Sequence, residues 1–238
     1  MIKGLIFDFD GLILETEEPI FQSWQELYQS YGCELAFDDW TKIIGSADGP
    51  FNPVEELERQ VGHALDWGAI EPERRRRELA LIGNLKPLPG VAETLQAARR
   101  LGLKVALASS SPCAWVTGHL ERLGLLQYFD CVMASDDVRI TKPDPELFVV
   151  ALAGLGLEAG QAVVFEDSPN GVLAARRAGL FTVAVPTRMT EMLPLEQADL
   201  RLSSLAELPL EELLRRVEQM QAQAMQRMGN GLAGKSDL

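Results

Sequence analysis

Histidine and cysteine are scarce in this chain, two of the first and three of the second among 238 residues. His63 and His119 are isolated, and neither has the spacing of a metal-ligand pair. Cys33, Cys113 and Cys131 are odd in number, scattered and free of any CxxC pair. That excludes a disulfide framework and predicts buried thiols in a reducing cytoplasm. Basic residues are in deficit as well, 22 Lys and Arg against 35 Asp and Glu, for a formal charge of −13. A surface this acidic repels phosphate backbones, which argues against nucleic-acid and anionic-membrane partners. It leaves room for a small phosphorylated ligand in a local cationic pocket. Long hydrophobic runs are missing too. Asp8 ends the apolar start too early for a secretory core, and the longest apolar stretch, Leu147 to Leu157, suits a buried helix. No internal repeat is visible.

What is present is ordinary globular composition, 47% apolar and 24% charged, in a length suited to one large domain or one domain with an insertion. Short apolar runs without polar alternation predict buried parallel strands at Leu5–Phe7, Val105–Ala108, Cys131–Met133, Val163–Phe165 and Phe181–Val185. Between them, Ser111-Pro112, Asp144-Pro145 and Ser168-Pro169 each place a capping side chain before a proline at the first helical position. Gly124, Gly156 and Gly179 close these helices. The alternation predicts an α/β fold with a doubly wound parallel sheet.

Nearly a hundred residues separate the first strand from the second, far more than one crossover needs. Ile20, Trp24, Leu27 and Tyr31 repeat there at helical spacing, and further helices are predicted around Glu55 to His63 and Arg74 to Leu81. Lys86-Pro87-Leu88-Pro89-Gly90 reads as a stiff return hinge. The division expected is a core of residues 1–14 and 87–210, a helical insertion of 15–86, and a C-terminal helix and tail of 211–238. Ser204 and Glu207 have capping-box spacing before an amphipathic helix to about Met228, with a mobile tail beyond it.

Polar residues gather at the strand ends. Asp8 and Asp10 follow the first strand, Ser109 to Ser111 the second, Lys142 the third, and Glu166-Asp167 end the fourth. In an open parallel sheet these ends face one crevice. Carboxylate oxygens there suit Mg²⁺, a carboxylate can attack phosphorus, and a lysine can neutralise phosphoryl oxygens.

At this point the chain resembles the haloacid dehalogenase superfamily of phosphohydrolases, in its helical-cap, β-phosphoglucomutase-like branch. The resemblance rests on the run Ile6 to Glu17 (IFDFDGLILETE), on Leu107 to Ser111 (LASSS), on Thr141 to Phe148 (TKPDPELF), and on Phe165 to Ser168 (FEDS) with Gly171 to Gly179. It implies Asp8 as nucleophile and Asp10 as general acid and base, with the Asp10 carbonyl on Mg²⁺. It implies Ser109 and Ser110 as phosphate contacts, Lys142 as partner of nucleophile and phosphoryl group, Asp167 as a metal ligand, and Glu166 as a direct or water-mediated one. Strand order 3-2-1-4-5 and a helical cap closing over the site are also implied. Relatives commonly carry Asp where this chain has Glu15.

Other readings are weaker. A dehalogenase lacks the second aspartate, and a phosphonatase needs a cap lysine, for which only Lys42 and Lys86 are available. A sugar phosphomutase is the main alternative, but it uses a histidine where Ile20 stands and a cap arginine absent from Gly45-Ser46-Ala47-Asp48-Gly49. A non-catalytic phosphometabolite-binding protein would not need the whole set. Gly229 to Ser236 matches a P-loop pattern but has almost no chain after it, and Gly154-Leu155-Gly156 ends a helix. Arg74 to Arg77, among glutamates, is expected to be a solvated face with at most one or two members toward the site. The expectation is a monomeric, cytoplasmic, Mg²⁺-dependent phosphatase of a small metabolite.

Overall fold

The computed structural model describes residues 1–44 and 50–233, the last seven through their backbone. From the amino end the chain forms β1 (Gly4–Phe7), then α1 (Glu17–Ser30), α2 (Phe37–Trp40), α3 (Pro53–Val61) and α4 (Trp67–Ile82). Alternation follows through α5 (Val91–Arg100), β2 (Lys104–Ala108), α6 (Cys113–Arg122), β3 (Cys131–Met133) and α7 (Glu146–Leu155). It continues with β4 (Ala162–Glu166), α8 (Pro169–Arg177), β5 (Phe181–Ala184), β6 (Leu200–Arg201) and α9 (Leu210–Ala233).

The strands pair in parallel in the order 3-2-1-4-5-6, the expected order with a short sixth strand added. Successive side chains of a strand point to opposite faces. Leu5 and Phe7 therefore join Leu95 of α5, Val116 of α6 and Val217 of α9 in one core, while Ile6 joins Phe148 of α7 and Ala174 of α8 in the other. β3 is an edge strand and only half-buried, not covered on both faces as its apolar run suggested.

The insertion has its own core. Phe21, Trp24 and Tyr28 of α1 meet Trp40 of α2, Leu57 of α3 and, from the loop after β5, Met189. Tyr31 of the expected stripe is exposed at the end of α1, and Tyr28 takes the buried place. The segment Gly45 to Gly49 lies outside the described residues.

Several local expectations change. Pro112 caps α6 and the Ser111 hydroxyl goes elsewhere, whereas Ser168 caps α8 by accepting from the Gly171 N–H. α7 starts at Glu146, whose N–H is taken by the Asp144 carboxylate. Ser203, not Ser204, pairs with Glu207, because the Ser204 hydroxyl donates to the Pro89 carbonyl. α9 consequently starts only after Pro209 and runs through Gly229 to Ala233, where a mobile tail was expected; the rest of the P-loop match lies outside the described residues. The three thiols are free but half-buried, since Cys33 follows the turn ending α1, Cys113 opens α6 and Cys131 sits on the edge strand. Among the described residues, no helix is long and apolar enough to cross a membrane.

The return hinge ends at Gly90, with φ of +88°, where an added Cβ would lie 2.2 Å from the Ala206 nitrogen and 2.3 Å from the Leu205 carbonyl carbon. Left-handed geometry alone costs an alanine about 1–2 kcal/mol. Backbone atoms cannot swing aside as a side chain can. Gly90→Ala should therefore lower stability by more than about 2 kcal/mol, read as a lower urea midpoint at unchanged slope.

Candidate active site

The site begins where the hydrophobic register stops. β1 and β4 run in step, with Phe7 opposite Phe165, so Asp8 and Glu166 emerge at one level. The chain then turns at Gly11, whose φ is +78°, and an added Cβ there would meet Asp167 Oδ2 at 2.1 Å. Only glycine lets this loop lie against the second carboxylate loop.

Lys142 reaches into this cluster. Its Nζ donates to Asp8 Oδ1 at 2.5 Å, Glu166 Oε1 at 2.6 Å and the Ala108 carbonyl at 2.7 Å. All three ammonium protons are thereby used. Glu166 Oε2 accepts from the backbone N–H groups of Asp167 and Ser168 and from the Ser168 hydroxyl. Glu166 is fully buried, with both oxygens engaged. Asp8, Glu166 and Asp167 each offer an oxygen within 4.8 Å of the others.

Burial, followed by repulsion from Glu166, pushes Asp8 up to about 8, against the pull of Lys142. Burial, followed by repulsion from Glu166 and Asp8, holds Asp167 well above the usual carboxylate range. For Lys142, burial lowers the pKa but attraction to Asp8 and Glu166 outweighs it and raises the value. Buried carboxylates this crowded match a hard divalent cation, and an all-oxygen donor set suits Mg²⁺ rather than zinc.

Asp10 is held differently. Its Oδ1 accepts from Thr16 Oγ1 at 2.7 Å and Trp115 Nε1 at 3.0 Å, and its Oδ2 accepts from Ser111 Oγ at 2.6 Å. Ser109 is buried, and its hydroxyl accepts from the Ser111 N–H. The Ser110 hydroxyl is buried without a partner, beside the cavity. The Ser111 hydroxyl, expected merely to cap, is the one of the three that donates to Asp10.

A cavity of about 320 Å³ joins these groups. Ser110, Lys142 and Asp167 lie on its sheet side, and Ile20, Ile44 and Arg75 come from the insertion. Glu17 also faces it, pushed up to about 8 by burial and then by Asp10. The arginine run is not a solvated face throughout. Arg74 is buried over Trp24 and pairs with Glu71 and with buried Glu78, because α4 packs on α1. Arg75 lines the cavity while staying half-exposed, and Arg76 and Arg77 are exposed as expected, so Arg74 is the member that departs from a solvated face.

Asp8, Asp10, Ser109, Ser110, Lys142 and Asp167 all reach this cavity, and Glu166 stands behind it. Thr16, Glu17, Trp115 and Arg75 were missed. Thr16 and Glu17 were visible inside the first motif, and Trp115 stands six residues after Ser109, one helical turn into α6. Nothing in the arginine run marks which member turns inward.

The profile of the haloacid dehalogenase-like hydrolase family matches residues 5–185. YhcW of Bacillus subtilis is 45% identical over 90% of this chain and 97% of its own length. The fructose-1-phosphate phosphatase YqaB of Escherichia coli is 34% identical over 76% of this chain and 95% of its own. The crystal structure of CbbY from Rhodobacter sphaeroides in complex with phosphate superposes with a TM-score of 0.67 at 28% identity, covering 87% of this chain and 96% of that one. With a matching profile, a parallel sheet in the same order and the strand-end carboxylates in place, the chain belongs to the haloacid dehalogenase-like hydrolases.

Proposed function

We propose that this protein is a Mg²⁺-dependent phosphomonoesterase that hydrolyses a small phosphorylated metabolite, of the sugar phosphate class, through an aspartyl phosphate on Asp8. The observation that carries the reading is the convergence of Asp8, Asp10, Lys142, Asp167 and the unpartnered Ser110 hydroxyl on one cavity. The names of the phosphatase relatives support the substrate class.

Asp8 attacks phosphorus while Asp10 gives its proton to the leaving oxygen as the ester bond breaks. A water then attacks the aspartyl phosphate, Asp10 takes its proton, and the bond to Asp8 breaks, restoring the Asp8 carboxylate and the protonated Asp10. Ser109, Ser110 and Lys142 bind phosphoryl oxygens. Mg²⁺ would be held by Asp8, the Asp10 carbonyl and Asp167, supplying charge that neutralises the phosphoryl group. Glu166, whose oxygens are engaged, fits better as the group that aims Lys142 than as a direct ligand.

Residues 1–14 and 87–210 form the catalytic core in this reading, 15–86 the cap, and 211–238 an accessory helix and tail. The cap excludes bulk water while leaving a path for one molecule. The protein works as a cytoplasmic monomer without nucleic-acid or membrane partners, in keeping with its charge of −13 and its free thiols. The apolar Ile20 lines the cavity where a mutase carries histidine, which favours hydrolysis over phosphomutase chemistry. The deciding experiment is phosphate release from a panel of sugar phosphates and nucleotides, with and without Mg²⁺.

Three outcomes are expected. Asp8→Asn should abolish turnover and keep the fold, because an amide does not attack phosphorus; substantial phosphate release by the folded variant would sink the covalent route. The metal reading follows from the raised carboxyls. With Asp8 at about 8, the metal-free protein at pH 7 mostly holds a proton that the cation must expel. The heat of Mg²⁺ binding at pH 7 should therefore vary with the ionisation enthalpy of the buffer, and that dependence should weaken as pH rises through about 8. Buffer-independent heats at pH 7 would contradict it. For the hydrolase, hexose 1-phosphate with a trace of the bisphosphate should yield free phosphate and little hexose 6-phosphate. Predominant 6-phosphate would promote the mutase.

A further inference from the structure

The geometry points to Trp115 as a positioning residue that ties the pose of Asp10 to the position of the helical insertion, a step beyond the phosphatase reading on which it rests. The indole Nε1–H donates to Asp10 Oδ1 at 3.0 Å. The ring lies under the insertion, with the Arg75 guanidinium carbon 5.2 Å from its centroid. On the core side it meets the His119 ring edge to face at 4.4 Å, and His119 in turn stacks on Phe9 beside the aspartate loop. One side chain therefore touches the roof of the cavity, the acid–base carboxyl and the loop that carries it.

The three donors to Asp10 are not equivalent. Thr16 and Ser111 are hydroxyls, which rotate and can accept as well as donate. An indole N–H only donates, in a direction fixed by the ring. Oδ1 facing Trp115 must stay an acceptor, so the proton that Asp10 gives to the leaving oxygen and later takes from water sits on Oδ2, beside Ser111. Arg75 holds the ring in that register through its face, and Glu78 holds Arg75 at 2.5 Å. When the insertion lifts, the indole loses its contact with Arg75, and the orientation of Asp10 loosens with it.

Trp115→Phe keeps a ring for Arg75 and His119 but removes the N–H. Because a bare ring wall would affect every ester alike, the leaving group provides the test. kcat/KM for fructose 1-phosphate, an alkyl ester that needs proton donation, should fall at least about tenfold. For p-nitrophenyl phosphate, whose leaving group needs no proton, the loss should stay within about threefold. Equal losses on both esters, or none, would overturn the proposal.

The link to the insertion is read by a double-mutant cycle and by spectroscopy. Arg75→Ala should depress the ester-specific ratio in the parent and leave it unchanged in the Trp115→Phe background. In protein labelled with ¹⁵N-indole tryptophan, the resonance missing from Trp115→Phe should shift in metal-free Asp10→Asn and in Arg75→Ala. If it shifts in neither, the contact does not exist in solution. Wild-type protein that releases phosphate from no member of the panel would sink the phosphatase reading, and the indole resonance would still decide this one.

Discussion

The structure is organised around an imbalance of buried charge at the carboxyl ends of its central strands. Three carboxylates, Asp8, Glu166 and Asp167, crowd together, and one ammonium, that of Lys142, pairs with the first two. Burying an uncompensated charge costs several kcal/mol, so the arrangement survives only where other groups carry the load. Glu166 and Lys142 do so for each other and for the loops, since every proton of the ammonium and both oxygens of the glutamate are engaged. The excess is left on Asp8 and Asp167, the two that face the cavity. Burial and mutual repulsion raise the pKa of both, a crowding that a bound cation would relieve.

Much of the backbone nearby is shaped by that crowding. The in-step register of β1 and β4 puts Asp8 and Glu166 level, and the alternation of side chains between two cores leaves the strand ends free to turn polar. Two glycines then make room. A Cβ on Gly171 would lie 1.9 Å from the Glu166 carboxyl carbon, and one on Gly11 would lie 2.1 Å from Asp167 Oδ2. Neither collision involves a surface side chain, since Glu166 and Asp167 are both buried and Glu166 is held through both oxygens.

What the sequence made legible follows from this logic. A residue at a strand end in a parallel sheet has little freedom in where it points, so Asp8, Asp10, Lys142 and Asp167 could be placed from order and spacing alone. Hydroxyls were harder, because a serine run offers several partners at similar cost. Ser111 looked like a helix cap, yet Pro112 takes the cap position and the Ser111 hydroxyl donates to Asp10 Oδ2 at 2.6 Å. Ser204 lost its capping role to Ser203 for a tertiary reason, the nearby Pro89 carbonyl. Arg74 to Arg77 exposed the limit of local pattern. Their glutamate neighbours suggest water, but α4 packs on α1, and Ser23 and Trp24 take Arg74 inside.

The insertion also bears on what the cavity accepts. Among the described residues that line it, Arg75 is the cation contributed by the insertion, and it faces Glu17 and Glu78 from the same half. Ile20, Ile43 and Ile44 make the rest of that wall apolar. A substrate with a second phosphate would bring about two further negative charges against that wall, with one half-committed guanidinium to meet them. The sheet side, by contrast, offers Lys142, an unpartnered hydroxyl and a cation site, enough for one phosphoryl group. The division of charge between the two halves therefore supports the phosphomonoesterase reading proposed above. Glu78 is already taken up by Arg74 and Arg75, so Glu17 is, among the described residues, the carboxyl of that wall left to meet a substrate hydroxyl.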